Sequence, residues 1–339
     1  MLATLRRSFV LLAIAATASA AVAQKAPAVA AKPLPQPGVP AHWASKPLRI
    51  LVGFPPGSTP DQVARTIADP LARALGQQVV VENKVGKGGN VAAAEVVNAT
   101  DDHTIGFLIN GNMTIARLLD PSTPFNPEKD LQPLTLIGTA PMLLVAPASA
   151  SAMGAADFFL NVRNGADSWK YGSPGVGTVG HVGMELLGTK TNIKPVHVPY
   201  PGNPQAIAAL VANKVQLALM PPGIAIPQVK AGKLKAIGMT SLTRSPLGPE
   251  YPTLNEQGIR DFQLEVWVAA AAPKSMPQPI ADKLSAQIAE IARTPDVRAQ
   301  LLKGGWNAVG STSQELAHRV RDDTALLGGV LLMRGMRTD

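Results

Sequence analysis

The fold is decided by a single stretch, Leu48-Arg49-Ile50-Leu51-Val52-Gly53-Phe54-Pro55-Pro56-Gly57-Ser58-Thr59-Pro60-Asp61-Gln62. Its first half is short, apolar and bounded by glycine and proline, which predicts a buried strand over 48–54. Its second half, with Thr59 as N-cap and Gln62 three residues later, matches the capping box of a helix. Such a loop leaves backbone N–H groups at the positive end of a helix, so it can bind an anion. An ordinary strand-to-helix turn explains the same residues, and both interpretations stay open at this point.

From this stretch onward, predicted strands and helices alternate, and the order then repeats before a helical tail. The predicted strands are 48–54, 78–82, 103–109, one or two within 134–146, 169–172, 196–198, 215–220, 234–241 and 264–272. One predicted helix begins at Thr59, and the others cover 91–97, 113–119, 155–162, 178–187, 203–212, 221–231, 279–292, 296–302 and 314–327. This order indicates an α/β protein of two lobes with mostly parallel sheets, in which the tail returns to the first lobe.

The first 46 residues predict an export signal and a tether rather than part of the fold. Two arginines precede an apolar run and small residues follow, which is the pattern of a signal peptide over 1–23. Cleavage after Ala20 or after Ala23 fits this pattern; we prefer the second site, and an uncleaved anchor is the alternative. Residues 24–46 are rich in alanine and proline and predict an extended tether. We therefore expect a soluble exported protein without stable membrane insertion.

Composition excludes several kinds of function. The chain of 339 residues has no cysteine, so disulfides, thiolate metal sites and cysteine nucleophiles are excluded. Its net charge of +8 is spread along the chain without a basic block and interleaved aromatics, so nucleic-acid binding is not expected. The histidines do not stand at metal-ligand spacing, and neither a metal nor a cofactor is predicted.

A second glycine-rich loop follows a predicted strand, in the segment Tyr171-Gly172-Ser173-Pro174-Gly175-Val176-Gly177-Thr178-Val179-Gly180-His181. Three of its glycines match the dinucleotide pattern G-x-G-x-x-G, but the acidic residue expected about 20 positions later is missing. The loop suits a carboxylate equally well, because bare N–H groups meet a helix start and Ser173 and Thr178 add hydroxyl donors. His181 could donate to a ligand or could cap and pack locally. A hydrolase that uses Ser173 and His181 is the alternative function.

Several motifs, in one order, resemble a known family. They are Phe54-Pro55-Pro56-Gly57 with Asp61, Val81-Glu82-Asn83-Lys84 with Gly86 and Gly88-Gly89-Asn90, the segments 124–130, 171–181, 196–200 and 230–236, and Thr240-Ser241 with 244–246 and 251–253. Through these motifs the chain, from about Pro47 to Arg321, resembles the Bug-type periplasmic solute-binding proteins, the receptors of tripartite tricarboxylate transporters.

The resemblance implies a type II periplasmic binding protein fold, in which the chain crosses twice between two lobes that close on a ligand. We place the crossings near 145–147 and 266–272. The expected bounds are 47–146 and 267–339 for lobe one and 147–266 for lobe two. The resemblance also implies a periplasmic location and delivery of the ligand to membrane permease subunits, or a role in sensing. We expect a monomer.

The resemblance further implies that one loop from each lobe holds a small carboxylate through backbone N–H groups and hydroxyls, with bridging water. We expect Asp61 to orient the first loop or a water rather than to contact the anion. The predicted ligand-binding residues are Phe54, Pro55, Gly57, Ser58, Thr59, Asp61, Asn110, Ser173, Gly175, Gly177, Thr178, His181, Tyr200, Met220 and Pro221. No catalytic residue is predicted, since the chain is expected to be a receptor and not an enzyme.

The first loop and a later strand depart from the family pattern. The first loop usually has a second glycine, and then Thr or Ser just before Asp61, but here those places hold Ser58 and Pro60. Gln216 stands where an acidic residue is usual, and Met220-Pro221-Pro222 replaces a polar turn. The pocket is therefore expected to be more apolar than usual, which favours a monocarboxylate with an apolar or aromatic body over citrate.

Overall fold

The structure is a computed structural model, and it describes residues 43–150, 155–165 and 169–336. The predicted signal peptide, 1–23, and the predicted tether up to residue 42 lie outside the described residues. Residues Trp43–Ser45 form a short 3₁₀ helix, and the Trp43 indole N–H donates to the Asp102 carbonyl at 3.0 Å. The tether prediction is wrong for these three residues, because the buried Trp43 ring packs them onto the fold.

Strands and helices alternate over most of the described chain, as predicted. The strands are β1 Leu48–Val52, β2 Val79–Asn83, β3 Thr104–Ile109, β4 Leu131–Pro141, β5 Leu143–Pro147, β6 Lys170–Ser173, β7 Val196–Pro199, β8 Ala218–Met220, β9 Leu234–Met239, β10 Glu265–Pro273 and β11 Asn307–Ala308. The helices are α1 Thr59–Leu75, α2 Asn90–Val97, α3 Asn110–Met113, α4 Ala116–Leu119, α5 Pro127–Asp130, α6 Ala155–Asn164, α7 Val179–Thr191, α8 Asn203–Val211, α9 Pro222–Lys230, α10 Gln278–Arg293, α11 Pro295–Lys303 and α12 Ser313–Arg334. The predicted helix 113–119 is split into α3 and α4, and the last helix extends seven residues beyond its predicted end.

Helix α1 shows how the opening stretch folds. Its buried apolar residues recur at helical spacing: Val63, Ile67 and Leu71. The N-cap is Ser58 rather than Thr59, and no side chain caps the helix, so the predicted capping box is wrong. Gln62 donates instead to the Gly57 carbonyl at 3.0 Å. Because the Thr59 hydroxyl is not used as a cap, it is left to make a contact outside its own helix.

The first lobe is built on a six-stranded sheet with the order β11-β4-β10-β3-β1-β2. Strand β1 pairs in parallel with β2 and β3, whereas β10 runs antiparallel to β3 and β4, and β11 antiparallel to β4. Successive strand residues face opposite sides of a sheet. Ile50 accordingly packs with α1 and α10 on one face, and Leu51 packs with α2 and α12 on the other.

The second lobe contains a three-stranded antiparallel sheet, β8-β5-β9, and a parallel pair, β6-β7. A parallel bridge between Tyr171 and Leu217 joins β6 to the chain just before β8. The α/β class is confirmed, but the description of the sheets as mostly parallel is wrong. The parallel strand pairs, β1-β2, β1-β3 and β6-β7, lie beside the two loops. The strands by which the chain passes from one lobe to the other, β4, β5 and β10, pair antiparallel with their neighbours.

The chain passes between the lobes at two places. Strand β4 belongs to the first sheet and β5 to the second, and Met142 alone separates them. The return lies between β9 and β10, over residues 240–264. Both passages therefore precede the predicted ones near 145–147 and 266–272, which fall inside β5 and β10. The bounds predicted for the two lobes stay a prediction.

Helix α12 contacts both lobes rather than the first alone. Its first half packs under the six-stranded sheet through Leu316 and Val320. Its last turns pack with Val182 of α7, and Arg334 forms an ion pair with Glu185 of the same helix at 2.5 Å. The tail therefore bridges the lobes behind the cleft. Across the described ranges, no helix combines the length and apolar character needed to cross a membrane.

Candidate functional site

A small cavity of about 30 Å³ lies between the two lobes. Its lining residues are Phe54, Thr59, Pro60, Ile109, Val266 and Trp306 from the first lobe, Pro174, Thr178, Val179, Gly180, Asn203 and Pro221 from the second, and Met142 between them. Most of these residues are apolar, and none of them carries a formal charge. Grooves of about 410 and 540 Å³ open elsewhere on the outer surface and involve neither of the two predicted loops.

Four helices of at least nine residues in the described chain begin at this cavity. Helix α1 begins at Thr59, α7 at Val179 and α8 at Asn203, while Pro221 is the N-cap of α9. The first N–H groups of a helix have no partner inside the helix, and its N-terminus carries a positive partial charge. The cavity is therefore electropositive without any cationic side chain, and this arrangement suits a small anion.

Asp61 holds the first loop in shape. Its carboxylate accepts hydrogen bonds from the Gly57 backbone N–H at 2.9 Å, from Asn83 Nδ2 at 2.9 Å and from Arg65 Nε at 3.0 Å. Burial of Asp61 opposes its ionisation, but these bonds outweigh burial and lower the pKa of Asp61 below its ordinary value. This is the loop-orienting role that we expect of Asp61, and it also occupies one of the N–H groups of the loop.

The hydroxyls of the second loop form hydrogen bonds inside that loop. Ser173 Oγ lies 2.7 Å from His197 Nε2 and donates to the Gly175 carbonyl at 3.1 Å. Thr178 Oγ1 donates to the same carbonyl at 2.7 Å. Thr178 lines the cavity, whereas Ser173 is buried behind it. These hydroxyls shape the loop. The N–H groups of His181 and Val182 bond to the Thr178 carbonyl, so those of Val179 and Gly180 are the donors at the start of α7 that remain for a ligand.

Three rings stack behind the second loop. The ring centroids of Tyr171 and His197 are 4.8 Å apart, and those of His197 and His181 are 4.0 Å apart. Burial lowers the pKa of His181 to about 4, and burial together with His181 lowers the pKa of His197 to about 3. His181 Nδ1 accepts the Gly177 backbone N–H at 3.1 Å, which is the local role left open by the sequence. Since Ser173 pairs with His197, the geometry does not provide the predicted Ser173–His181 pair of a hydrolase.

The predicted ligand-binding residues fall into two groups. Four of them line the cavity: Phe54, Thr59, Thr178 and Pro221. The others are not among its lining residues: Pro55, Gly57, Ser58, Asp61, Asn110, Ser173, Gly175, Gly177, His181, Tyr200 and Met220. Asn110 donates to the Glu265 carbonyl at 3.0 Å. Met220 pairs with Leu143 in the second sheet and packs in its core.

Two polar lining residues, Asn203 and Trp306, are absent from the predicted set. Asn203 Nδ2 donates to Thr59 Oγ1 at 2.7 Å, from the second lobe to the first. Trp306 is buried, and its indole N–H has no hydrogen-bond partner among the described residues. Asn203 stands three residues after a family motif, which could have drawn attention to it. Trp306 follows α11 and has no local pattern that marks it.

The backbones of the two lobes approach each other at glycines. A Cβ at Gly88 would lie 2.3 Å from the Val176 carbonyl oxygen, and one at Gly111 would lie 2.2 Å from the Gly177 carbonyl oxygen. Only a residue without a Cβ permits so close an approach. The third glycine-rich loop of the sequence, 84–90, therefore contacts the opposite lobe, and the structure is that of a closed form.

The fold and the site define a two-lobed binding protein with an anion-suited cavity where its lobes meet. The family is shown by its sequence profile: the chain belongs to the tripartite tricarboxylate transporter family receptors, whose profile matches residues 63–336. The predicted family is thereby confirmed. Its members are receptors rather than enzymes, so the prediction of a non-enzymatic protein also holds and the hydrolase alternative is set aside.

Similar proteins agree with this assignment. A UPF0065 protein encoded in the tcbD-tcbE intergenic region of Pseudomonas sp. (strain P51) is 33% identical over 285 residues, which cover 83% of this chain and 84% of the relative. The structure of MatC from Rhodopseudomonas palustris with bound malate is 30% identical, with a TM-score of 0.80, and covers 84% of this chain and 99% of MatC. The structure of R. palustris Rpa4515 with adipate is 26% identical, with a TM-score of 0.83, over 86% of this chain and 98% of Rpa4515. The predicted periplasmic binding protein fold is confirmed.

Proposed function

We propose that this chain is an exported receptor that captures one small organic carboxylate between its lobes. The observation that carries the proposal is the convergence of the N-termini of four long helices on a cavity between the lobes with no charged lining residue. An anion in that cavity is stabilised by helix-start N–H groups and helix dipoles, without an arginine or a lysine. The carboxylates held by MatC and Rpa4515 support the same class of ligand.

Ligand entry requires the lobes to open. The closed cavity of about 30 Å³ has room for little more than a water molecule. The first lobe, which carries the six-stranded sheet, moves relative to the second lobe, which carries the three-stranded sheet, with Met142 and the segment 240–264 as the hinges. The lobes then close around the ligand with a larger cavity between them, and that liganded form is the one that a membrane permease or a sensor recognises.

The lining residues favour a monocarboxylate with an apolar or aromatic body. Phe54, Ile109, Met142 and Trp306 give the cavity a hydrophobic wall. Gln216, at the expected acidic position, accepts from the Lys170 backbone N–H at 3.0 Å and does not line the cavity. A second or third carboxylate would be buried without a cation, which costs several kcal/mol. Citrate is therefore a poor ligand for this site.

A thermal-shift screen followed by calorimetry tests the function. The panel contains benzoate, nicotinate, adipate, malate and citrate, with benzyl alcohol as an uncharged control. A ligand at 100 times its Kd stabilises the folded state by about 2.7 kcal/mol, so millimolar concentrations reveal weak binders. We expect benzoate or nicotinate to raise the midpoint most. Stabilisation by citrate alone would overturn the specificity, and no response to any acid of the panel would overturn the function.

We propose that the mature chain begins at Gln24, resides in the periplasm and acts as a monomer. The signal-like N-terminus and the known location of the family support this. Mass spectrometry of the protein from a periplasmic extract measures the cleavage site, and light scattering measures the molecular mass. Recovery of the full-length chain in the membrane fraction would instead support the uncleaved anchor.

A further inference from the structure

Asn203 is the polar side chain of the second lobe that reaches the first lobe across the cavity. It is the first residue of α8, is 6% exposed and lines the cavity. Its Nδ2 donates to Thr59 Oγ1 at 2.7 Å. The turn before it packs against the first loop, since a Cβ at Gly202 would lie 2.8 Å from Pro55 Cδ. The backbone therefore fixes Asn203 at the junction of both lobes and the cavity.

The other half of the Asn203 amide is unused. Its Oδ1 is buried and has no hydrogen-bond partner within the described part of the chain. A buried amide group without a partner is unfavourable, so a ligand that supplies the missing bond is bound more tightly. Thr59, the neighbour of Asn203, carries a hydroxyl that can accept a hydrogen bond or donate one. If the Asn203 amide rotates by half a turn, Thr59 can donate to Oδ1, and a hydrogen bond between the two residues is kept. The atom that faces the ligand is then Nδ2 instead of Oδ1.

The charge of the ligand decides between the two orientations. An ionised carboxylate only accepts hydrogen bonds, so it selects the orientation in which Asn203 Nδ2 donates to it and Thr59 donates to Oδ1. The Ser173 and Thr178 hydroxyls already bond inside their loop and do not compete for this place. No cationic side chain lines the cavity among the residues described, so its side-chain N–H donors are neutral: the Asn203 amide, opposite Thr59, and the Trp306 indole.

We propose that Asn203 is a specificity-determining ligand contact: its amide donates to the carboxylate while its other atom bonds to Thr59 of the opposite lobe. Capture of the anion and closure of the lobes then depend on one side chain. The inference rests on the proposed carboxylate receptor and adds the residue that distinguishes an acid from its uncharged amide. An amide ligand allows either orientation but lacks the charge that strengthens the bond, so the receptor prefers the acid.

Calorimetry with matched acid and amide probes tests this role at neutral pH. The pairs are benzoate and benzamide, adipate and adipamide, and malate and malamide. The variants are Asn203→Ala, Asn203→Asp and Thr59→Val, with Gln205→Ala, an exposed residue of the same helix, as the matched control. A thermal melt of each variant without ligand confirms folding. If Asn203→Asp folds poorly, Asn203→Ala, which adds no charge, can still test the proposal.

The expected pattern separates ligand contact from a merely structural role. Wild type binds at least one acid more tightly than its amide. Asn203→Ala weakens binding of that acid by about 10- to 100-fold, and Asn203→Asp reverses the preference in favour of the amide. Thr59→Val weakens acid and amide by the same factor, and Gln205→Ala changes neither.

Two results would overturn the inference, and only the second of them would also overturn the proposed function. If wild type binds an acid of the panel and Asn203→Asp or Asn203→Ala keeps the same acid-to-amide ratio, Asn203 does not contact the ligand, although the receptor function stands. If wild type binds none of the acids, the proposed function and this inference fail together.

Discussion

Replacing Gly111 with alanine should prevent the lobes from closing while leaving each lobe folded. Gly111 lies in α3 of the first lobe, and a Cβ there would stand 2.2 Å from the Gly177 carbonyl oxygen of the second lobe. Its backbone is not in the left-handed region, so alanine is compatible with the local conformation. The substitution therefore acts on the contact between the lobes and not on the helix that carries it.

The size of the effect follows from this distance. A carbon and a carbonyl oxygen approach to about 3.3 Å, so the lobes must separate by roughly 1 Å at Gly111. Forcing an extra methyl into a packed contact costs about 1–3 kcal/mol. If the ligand binds the closed form, this cost lowers its affinity by about 5- to 150-fold. The open form gains instead, because alanine is more stable than glycine in a helix by about 0.5–1 kcal/mol.

Affinity and lobe distance must be measured on the same variant. Calorimetry with the acids of the panel gives the affinity. The chain has no cysteine, so spin labels at Lys129→Cys and Lys214→Cys, two exposed positions in different lobes, report closure by dipolar spectroscopy. Gly329→Ala in α12, where a Cβ meets no atom within 4 Å, is the matched control. Wild-type affinity and ligand-induced closure in Gly111→Ala would refute the reasoning.

Three further perturbations test other parts of the structure. Burial lowers the pKa of His181 to about 4 and that of His197 to about 3, whereas in the unfolded chain both protonate below about pH 6.5. Above that pH both rings are neutral in the folded and the unfolded chain, and the protein has its full stability. Between about pH 6.5 and 5 only the unfolded chain takes up the two protons, so the free energy of unfolding should fall by about 2–4 kcal/mol in total. This range allows for the partial exposure of His197. Urea midpoints that do not change over this range would contradict it. Asp61→Asn removes the charge that holds the first loop and should lower the free energy of unfolding by about 2–4 kcal/mol, so an unchanged urea midpoint would exclude that role. Arg334→Met leaves Glu185 without its ion pair and should cost about 1–2 kcal/mol in a thermal melt, whereas equal stability would show that α12 does not fasten α7.

Local sequence patterns predict much of the fold. The apolar spacing after Thr59 and the short apolar runs before each glycine-rich loop predict the strand–loop–helix units correctly. Strand direction is not a local property, because it depends on which lobe the chain has just left. This is why β10, inserted antiparallel between β3 and β4, contradicts the prediction of mostly parallel sheets.

The candidate site is harder to predict from the sequence than the fold is. Both loops could be located, since their motifs are contiguous, but the use of each polar group depends on neighbours far away in the chain. Thr59 matches an N-cap locally, yet it bonds to Asn203, 144 residues later. Ser173 looks like a ligand donor, yet it bonds to His197. A lining residue such as Trp306 has no signal at all, because only the tertiary fold brings it to the cavity.

Prolines near the starts of the helices determine where the charged end of a ligand is expected to lie. Pro60 of α1, Pro204 of α8 and Pro222 of α9 each occupy the first turn and have no N–H to offer. Helix α7 has no proline in its first turn, and its first two residues both line the cavity. The dipoles of all four helices act on the anion together, but the available N–H donors are concentrated at α7. We therefore expect the carboxylate to bind at the start of α7, with its body directed toward the apolar residues of the first lobe. In such a site the N–H groups at the start of α7 and the Asn203 amide select the charge, and the apolar lining side chains select the rest of the ligand.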